Sequence, residues 1–224
     1  MINIAIDGPS GAGKSTVARA LARELSFVYV DTGAMYRAIG LYVRDNGISP
    51  DDKESVIAVL PQISVMLSYG EDGMQHVLLN GRDVSKEIRE NEISMYASTV
   101  SKIPEVRTFL LSLQRDMAKT HNVIMDGRDI GTVILPDAQL KIFMFASLKA
   151  RTERRVKELI EKGQNVTYEQ IYAEIEARDI QDRTRDIAPA IPAEDAVMLD
   201  NSEMTVKESV AFIRTLLCER GLLS

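Results

Sequence analysis

The fold is decided by the stretch Gly8-Pro9-Ser10-Gly11-Ala12-Gly13-Lys14-Ser15. It fits the pattern G-x-x-x-x-G-K-[ST], in which a glycine-rich loop joins a β-strand to the start of an α-helix. An apolar run precedes the stretch and a helical pattern follows it, which is the context that the pattern requires. In such a loop, backbone N–H groups and the helix N-terminus converge on phosphate oxygens. The stretch therefore predicts a P-loop that binds the phosphates of a nucleoside triphosphate.

Two polar residues of the loop have distinct expected roles. Lys14 can reach the β- and γ-phosphates, and the hydroxyl of Ser15 can bind Mg²⁺. Asp126 ends another apolar run, at residues 122–126. It either supports the metal through a water molecule or caps a turn at the end of the strand, and both interpretations stay open.

Apolar runs recur along the chain with helical patterns between them. The runs lie at residues 2–7, 27–31, 122–126, 141–146 and 196–200. Four of the five lack strict alternation of polar and apolar residues, as expected when both faces of a strand are covered. The predicted fold is therefore α/β, with a five-stranded parallel sheet of the P-loop NTPase type flanked by helices.

Two segments depart from this rhythm. Residues 63–69 and 75–79, with turns at 70–73 and at Gly81, read as a hairpin of half-polar strands. We expect it to form a small separate antiparallel sheet. Residues 149–162 form a charged helical pattern that ends at Gly163.

A row of arginines is predicted on a later helix. Ile171, Ile175, Arg178, Asp182 and Arg185 follow one another at spacings of four and three, which places them on one helix face. For an isolated helix, a solvated salt-bridge ladder is the simpler explanation of such a row. A phosphate acceptor would give the row a function, because a phosphate is already mostly dianionic at pH 7 and needs cations rather than a general base.

Composition limits the class of protein. The formal net charge is −6 and the pI about 5.1, which argues against a broad basic surface for nucleic acid. A single cysteine, Cys218, cannot form an internal disulfide and suits a reducing compartment. We expect a cytoplasmic monomer that contacts neither nucleic acid nor membrane. No role is predicted for Cys218, His76 or His121.

Other classes of function remain to be weighed. The base-reading element N-K-x-D of GTPases is absent. Asp31-Thr32-Gly33 matches the aspartic-protease triplet, but only one copy exists and helical patterns surround it. An ATP sensor without turnover remains open. An alcohol kinase with Asp31 or Asp129 as general base also remains open.

Four segments together resemble the bacterial-type cytidylate kinase family of P-loop nucleoside monophosphate kinases. They are residues 8–16, 31–37 (D-T-G-A-M-Y-R), 126–133 (D-G-R-D-I-G-T-V) and 182–185 (D-R-T-R). The resemblance covers essentially the whole chain. The D-G-R-D-x-G-T-V run and the β insert separate this family from adenylate, guanylate and thymidylate kinases. Family members commonly carry Ser where this chain has Thr32, which puts the sugar contact of that residue in doubt.

The resemblance implies a set of site residues. For ATP they are Gly8, Pro9, Ser10, Gly11, Ala12, Gly13, Lys14, Ser15 and Thr16, with Arg154 and Arg155 from a lid. For the acceptor they are Thr32, Arg37, Ser98, Arg107, Arg128, Asp129, Arg178, Asp182 and Arg185. The residues expected to act on the transferred group are Lys14, Arg37, Arg128 and Arg185.

The resemblance also implies the reaction and the division of the chain. ATP would phosphorylate CMP and dCMP with Mg²⁺ present, and UMP or a shikimate-like alcohol remains the alternative acceptor. Residues 1–40, 85–148 and 186–224 would form the core. Residues 41–84 would bind the acceptor nucleotide, and residues 149–185 would form the short helical lid with the arginine-rich helix.

Overall fold

The five apolar runs form strands, because branched and aromatic side chains pack well on a pleated surface. A computed structural model describes residues 1–70, 75–161 and 163–223. The strands are β1 (Asn3–Asp7), β2 (Val28–Asp31), β3 (Val65–Tyr69), β4 (Gln75–Leu79), β5 (Arg82–Asp83), β6 (Val123–Gly127), β7 (Leu140–Phe145) and β8 (Val197–Asp200). The helices are α1 (Lys14–Leu25), α2 (Thr32–Asp45), α3 (Lys53–Val59), α4 (Asn91–Val100), α5 (Pro104–Thr120), α6 (Leu148–Glu161), α7 (Tyr168–Thr184) and α8 (Val206–Glu219). Each predicted core strand agrees with the observed bounds to within one residue.

The main sheet has five strands in the order β2-β6-β1-β7-β8. β1 pairs in parallel with β6 and with β7, and β7 pairs in parallel with β8. The predicted parallel α/β fold is confirmed. In the β1–β6 register Asp7 lies opposite Gly127, so the start of the P-loop is adjacent to the segment that follows β6. Carboxyl ends of parallel strands are where α/β proteins commonly bind ligands.

The chain divides into two compact units. The first comprises Met1 and Val28–His121, and the second comprises Ile2–Phe27 and Asn122–Ser224. In the first unit α2 packs against α4 so closely that a Cβ added to Gly40 would lie 2.9 Å from the backbone nitrogen of Ala97. A side chain at Gly40 would therefore push the two helices apart.

The insert of the first unit is a three-stranded antiparallel sheet in the order β3-β4-β5. The predicted separate small sheet is confirmed. The strand β5 was not predicted, because its two residues are too few to give a recognisable sequence pattern. Asn80 and Gly81 join β4 to β5 with φ of 49° and 82°, the left-handed conformation of a type I′ hairpin turn. Of the other predicted turn, residues 71–73 lie outside the described residues.

In the second unit α1 packs against β6 and α8. α8 begins with a capping box in which the Thr205 side chain accepts from the Glu208 backbone and the Glu208 side chain accepts from the Thr205 backbone. Val210 and Ile213 of this helix are buried, whereas Val206 is 40% exposed. It is the first helical residue and precedes the turn that packs on the core.

α6 and α7 form a helical pair with its own small core. Leu159, Ile171 and Ile175 are buried there. Lys162, predicted as the end of the charged helix, lies outside the described residues. α7 ends at Thr184, and Arg185 adopts an extended conformation with φ −66° and ψ 142°. The prediction that Arg185 shares the helix face is therefore wrong, because its backbone has already left the helix. Among the described residues, no helix combines the length and the hydrophobicity that a bilayer crossing requires.

Candidate active site

The P-loop connects β1 to α1 through three glycines with positive φ. The angles are 146° at Gly8, 74° at Gly11 and 84° at Gly13. A Cβ added to Gly8 would overlap the carbonyl oxygen of Met144 on β7, so that position has both the conformation and the space of a glycine. The structure thus gives the predicted loop the backbone that phosphate binding needs.

Lys14 is buried inside the loop. Its side chain is the first of α1, is 5% exposed, and donates a hydrogen bond from Nζ to the carbonyl oxygen of Pro9 at 2.7 Å. Burial, assisted by the nearby Arg128 charge, lowers the pKa of Lys14 to about 7. Asp126 and Asp7 oppose this shift only in part. An anion placed in the loop would favour the charged form of Lys14, so the residue is suited to bind one.

Ser15 and Asp126 form an oxygen pair beside the loop. The hydroxyl of Ser15 donates to Oδ2 of Asp126 at 2.9 Å, and Asp126 is 4% exposed near the end of β6. Hydroxyl and carboxylate oxygens are the donors that Mg²⁺ prefers, and Mg²⁺ sites in phosphotransferases commonly use one or two protein groups together with phosphates. Within the described chain, no group of three or more His, Cys, Asp or Glu residues could hold a metal ion. The Ser15–Asp126 pair therefore fits a metal that the nucleotide completes.

Arg128 and Asp182 form an ion pair in the second unit. Nε of Arg128 donates to Oδ2 of Asp182 at 2.8 Å, and the side chains are 19% and 8% exposed. Burial alone would raise the pKa of Asp182, but the charges of Arg128 and Arg178 outweigh it and hold that pKa below its usual value. The structure thus brings together three residues predicted for the acceptor from two distant parts of the sequence.

Arg185 joins the same group although it is not helical. Its Nη2 lies 3.7 Å from Oδ1 of Asp129, and its Nη1 lies 4.0 Å from Oδ1 of Asp182. Its Nε donates to the carbonyl oxygen of Ala188 at 2.7 Å, so the side chain is oriented by the loop after α7. Its side chain is only 8% exposed, which makes the solvated-ladder interpretation untenable at this position. We refer below to Arg128, Asp129, Arg178, Asp182 and Arg185 as the arginine cluster.

Four predicted acceptor residues lie in the first unit. Nη2 of Arg37 pairs with Oδ2 of Asp31 at 2.9 Å, and Asp31 also caps α2 by accepting from Ala34. Thr32, the first residue of α2, is 3% exposed. These contacts fix the start of α2.

Arg107 lies at the α4–α5 corner of the first unit. Its guanidinium carbon is 5.5 Å from the centre of the Tyr36 ring, and its Nη1 donates to the carbonyl oxygen of Ser101 at 3.3 Å. The hydroxyl of Ser101 in turn donates to the carbonyl oxygen of Ser98. Ser98 and Arg107 are thus connected through Ser101, and Tyr36 holds Arg107 by a cation–π contact.

The predicted lid arginines are held by protein atoms in this conformation. Nη2 of Arg154 donates to the carbonyl oxygens of Asn201 and Ser202 at 2.7 and 3.0 Å. Arg155 pairs with Glu158 at 2.9 Å, one helical turn away. The structure therefore places both side chains on α6, with Arg154 directed to the loop after β8.

Comparison with known proteins identifies the family. The sequence model described as cytidylate kinase matches residues 4–218. The chain belongs to the cytidylate kinase family. A cytidylate kinase of Caldicellulosiruptor saccharolyticus is 51% identical over 207 residues, which cover 92% of this chain and 91% of that protein. A cytidylate kinase of Streptococcus gordonii is 45% identical over 212 residues, covering 95% and 94%.

A solved structure supports the fold of this cytidylate kinase family member. An uncharacterized protein from Eubacterium ventriosum superposes with a TM-score of 0.53 over 97% of this chain and 98% of that protein. The two sequences are only 13% identical, so the similarity concerns the fold alone.

Sequence reasoning missed several residues of this cytidylate kinase site. Arg151 on α6 donates to the carbonyl oxygens of Ala146 and Ser10, both at 2.9 Å, and pairs with Asp179 at 2.6 Å. It thereby links the P-loop to α7. In the sequence, Arg151 is recognisable only as one of several charged residues of a predicted helix. Such residues are most simply interpreted as a solvent-exposed helix face. Asn201, which donates to the carbonyl oxygen of Ala12 at 2.8 Å, had no signal at all.

Proposed function

We propose that this chain transfers the γ-phosphoryl group of ATP to CMP, giving ADP and CDP, and that it accepts dCMP as well. One observation carries the proposal: a P-loop with a buried lysine and a cluster of arginines around buried aspartates occur in one compact unit of a cytidylate kinase family chain. Phosphoryl transfer between two nucleotides needs local cations of this kind, because both reactants are anions.

The acceptor requires no general base in this proposal. The second pKa of a phosphate lies near 6, so at pH 7 the CMP phosphate is mostly a dianion. One of its oxygens attacks the γ-phosphorus of ATP in line, and the bond to the β-phosphate oxygen of ADP breaks. The protein supplies position and positive charge.

The donor side uses the P-loop. Backbone N–H groups of residues 8–16 and the ammonium of Lys14 hold the β- and γ-phosphates. Ser15, with Asp126 behind it through water, would hold Mg²⁺, which when bound neutralises charge on the phosphate oxygens. Support comes from the 2.9 Å bond between Ser15 and Asp126 and from the lowered pKa of Lys14.

Three arginines act on the transferred group and on the acceptor phosphate. They are Arg37, Arg128 and Arg185. Planar guanidinium groups suit this task because they bind phosphate oxygens with two parallel hydrogen bonds. Each of the three arginines lies beside a carboxylate. The carboxylate compensates the charge of the guanidinium group and orients it before the substrate binds.

The remaining acceptor residues recognise the nucleoside. Ser98, Arg107 and Asp129 surround the cytosine, with Asp129 accepting from the N4 amine and the donors directed to O2 and N3. Thr32, Arg178 and Asp182 lie near the pentose. These assignments come from the family resemblance and are supported by the burial of Thr32, Asp129 and Asp182.

Larger parts of the chain have proposed roles as well. Residues 41–84 bind the acceptor nucleotide, and residues 149–185 act as the lid that brings Arg154 and Arg155 to ATP; residues 1–40, 85–148 and 186–224 form the core. We further propose a cytoplasmic monomer without nucleic-acid or membrane partners. The net charge of −6 and the single cysteine support this.

The test is turnover of a panel of acceptors. Purified protein with ATP and Mg²⁺ is offered CMP, dCMP, UMP, AMP, GMP and shikimate, and release of ADP is followed together with chromatographic detection of CDP. We expect kcat/KM for CMP to exceed the values for AMP, GMP and shikimate by about 100-fold or more. Protein carrying Lys14→Met measures any contaminating kinase. Preference for shikimate, or release of ADP without CDP, would refute the proposal.

A further inference from the structure

Asp7 is a buried acid that the reaction described above does not use. It is the last residue of β1, directly before the P-loop, and is 4% exposed. Both of its carboxylate oxygens accept backbone hydrogen bonds, Oδ1 from Ile130 and Oδ2 from Gly131, each at 2.7 Å. The two donors are more than 120 residues away in the sequence and immediately follow Asp129.

These bonds hold the short π-helical turn Ile130–Ile134, whose preceding residue is Asp129. Hydrogen bonds to a charged acceptor are about twice as strong as neutral ones. Burial raises the pKa of Asp7 to about 6, but the Gly131 and Ile130 hydrogen bonds limit the rise, so the carboxylate is mainly ionised at pH 7.5. Asp129 and Lys14 are the charged groups near it.

The turn also packs closely against the side chain of Lys141. A Cβ added to Gly131 would lie 3.1 Å from Cδ of Lys141 and 3.4 Å from Oδ2 of Asp7. A methyl group at Gly131 would therefore press on the Lys141 stem and on the Asp7 carboxylate, and these side chains would have to move by a few tenths of an ångström. Because Asp129 directly precedes this turn, a shift of the turn would also move Asp129.

We propose that Asp7 is a positioning residue for base recognition: by binding the N–H groups of Ile130 and Gly131, it sets the place of the Asp129 carboxylate and so the discrimination between CMP and UMP. The inference rests on the proposed function, in which Asp129 accepts from the cytosine N4 amine. Uracil carries a carbonyl oxygen at that position, so a correctly placed carboxylate rejects it. Asp7 does not act as a base, because backbone donors bind both of its oxygens.

Asp7→Asn isolates this role because the side-chain shape is kept. One N–H group of the turn keeps an oxygen acceptor, whereas the other faces the new amide NH₂ group. Two donors cannot satisfy each other, so the turn must shift. We expect the KM for CMP to rise about tenfold and the CMP-to-UMP ratio of kcat/KM to fall by a similar factor. The KM for ATP should change less than the KM for CMP, because Asp7→Asn has two opposing effects on ATP: it removes a charge that repels the phosphates, and it removes a charge that raises the pKa of Lys14.

Two further variants keep the test decisive. Gly131→Ala should shift the same turn from within and lower the CMP-to-UMP ratio in the same direction, even if Asp7→Asn fails to fold. Asn122→Ala is the matched control. It removes the hydrogen bond from the Ile2 N–H at the opposite end of β1, which is 2.8 Å long, and should leave the ratio unchanged.

Asp129→Ala separates this inference from the proposed function. If the wild-type preference for CMP over UMP is lost in Asp129→Ala, the contact between Asp129 and the base is supported. If the preference is then also lost in Asp7→Asn or Gly131→Ala, the positioning role of Asp7 is supported. An unchanged CMP-to-UMP ratio in a folded Asp7→Asn protein, or an equal loss in Asn122→Ala, would overturn it. If Asp129→Ala itself keeps the preference, both the base contact and the role of Asp7 are wrong, whereas the phosphoryl-transfer proposal stands as long as CDP is made.

Discussion

Replacing Asp182 by Asn should reveal how much the arginine cluster depends on one charge. Asp182 is 8% exposed, and its Oδ2 accepts from Arg128 at 2.8 Å, while its Oδ1 lies 4.0 Å from Arg185. Asn keeps the shape of the side chain but removes the negative charge. The guanidinium groups of Arg128, Arg178 and Arg185 would then repel one another with less compensation.

The expected loss of stability follows from the burial of this pair. Breaking a buried ion pair by removing one partner costs about 3–5 kcal/mol. Asp126 and Asp179 remain near Arg128 and compensate part of its charge, so we expect the lower end, about 3 kcal/mol. A domain of this size loses about 2–4 °C of Tm per kcal/mol, which gives a decrease of about 6–12 °C.

The measurement is thermal unfolding by calorimetry at pH 7.5, without nucleotide. Asp116→Asn is the matched control, because Asp116 also pairs with a cation, Lys119 at 2.7 Å, but the side chains of Asp116 and Lys119 are 63% and 70% exposed. Exposed pairs contribute about 0–1 kcal/mol, so the control should lower the Tm by less than about 4 °C. Equal Tm shifts for the two variants would refute the claim that burial makes the Asp182 charge important.

The pH dependence provides a second check on the same variant. Burial tends to raise the pKa of Asp182, but the arginine charges lower it below its usual value. A carboxyl whose folded pKa is lowered contributes stability above its unfolded pKa and loses it as pH falls through the folded pKa. The difference in Tm between wild type and Asp182→Asn should therefore persist from pH 8 down to about pH 4 and shrink only below that. A difference that disappears already at pH 6 would contradict this reasoning.

Two further outcomes are expected. Burial and the Arg128 charge lower the pKa of Lys14 to about 7 in the free protein, whereas bound phosphates favour its charged form. ATP binding should therefore be accompanied by proton uptake above pH 7. Over the same range the KM for ATP should rise with pH, approaching about tenfold per pH unit. Calorimetric titration in buffers of different ionisation enthalpy measures that uptake, and none at pH 8.5 would contradict it. Thr205→Ala removes the cap of α8, which contributes about 1 kcal/mol, and should lower the Tm by about 2–4 °C without changing kcat. A changed kcat would mean that α8 influences the site.

Much of the fold could be predicted because its signals are local. The core strands are continuous apolar runs covered on both faces, and the capping box of α8 is visible as Thr205 and Glu208 three residues apart. The end of α7 could not be predicted in this way. Arg185 keeps the helical spacing in the sequence, but its conformation is set by the hydrogen bond to Ala188 and by the cluster it joins. Tertiary contacts overrode a periodic pattern at that point.

By itself, the sequence determined the P-loop motif and the parallel α/β class, and it supplied the charged residues that we propose for the site. These features depend on residues that are neighbours along the chain, so they can be recognised from a short segment of sequence. Only the tertiary structure decided the partners: Asp7 with the turn after Asp129, and Arg151 with the carbonyl oxygen of Ser10. Such pairs are separated by more than 120 residues, and strand register and helix packing bring them together. Strand register and helix packing cannot be read from the residue spacing of a single segment, because they depend on how whole elements pack together.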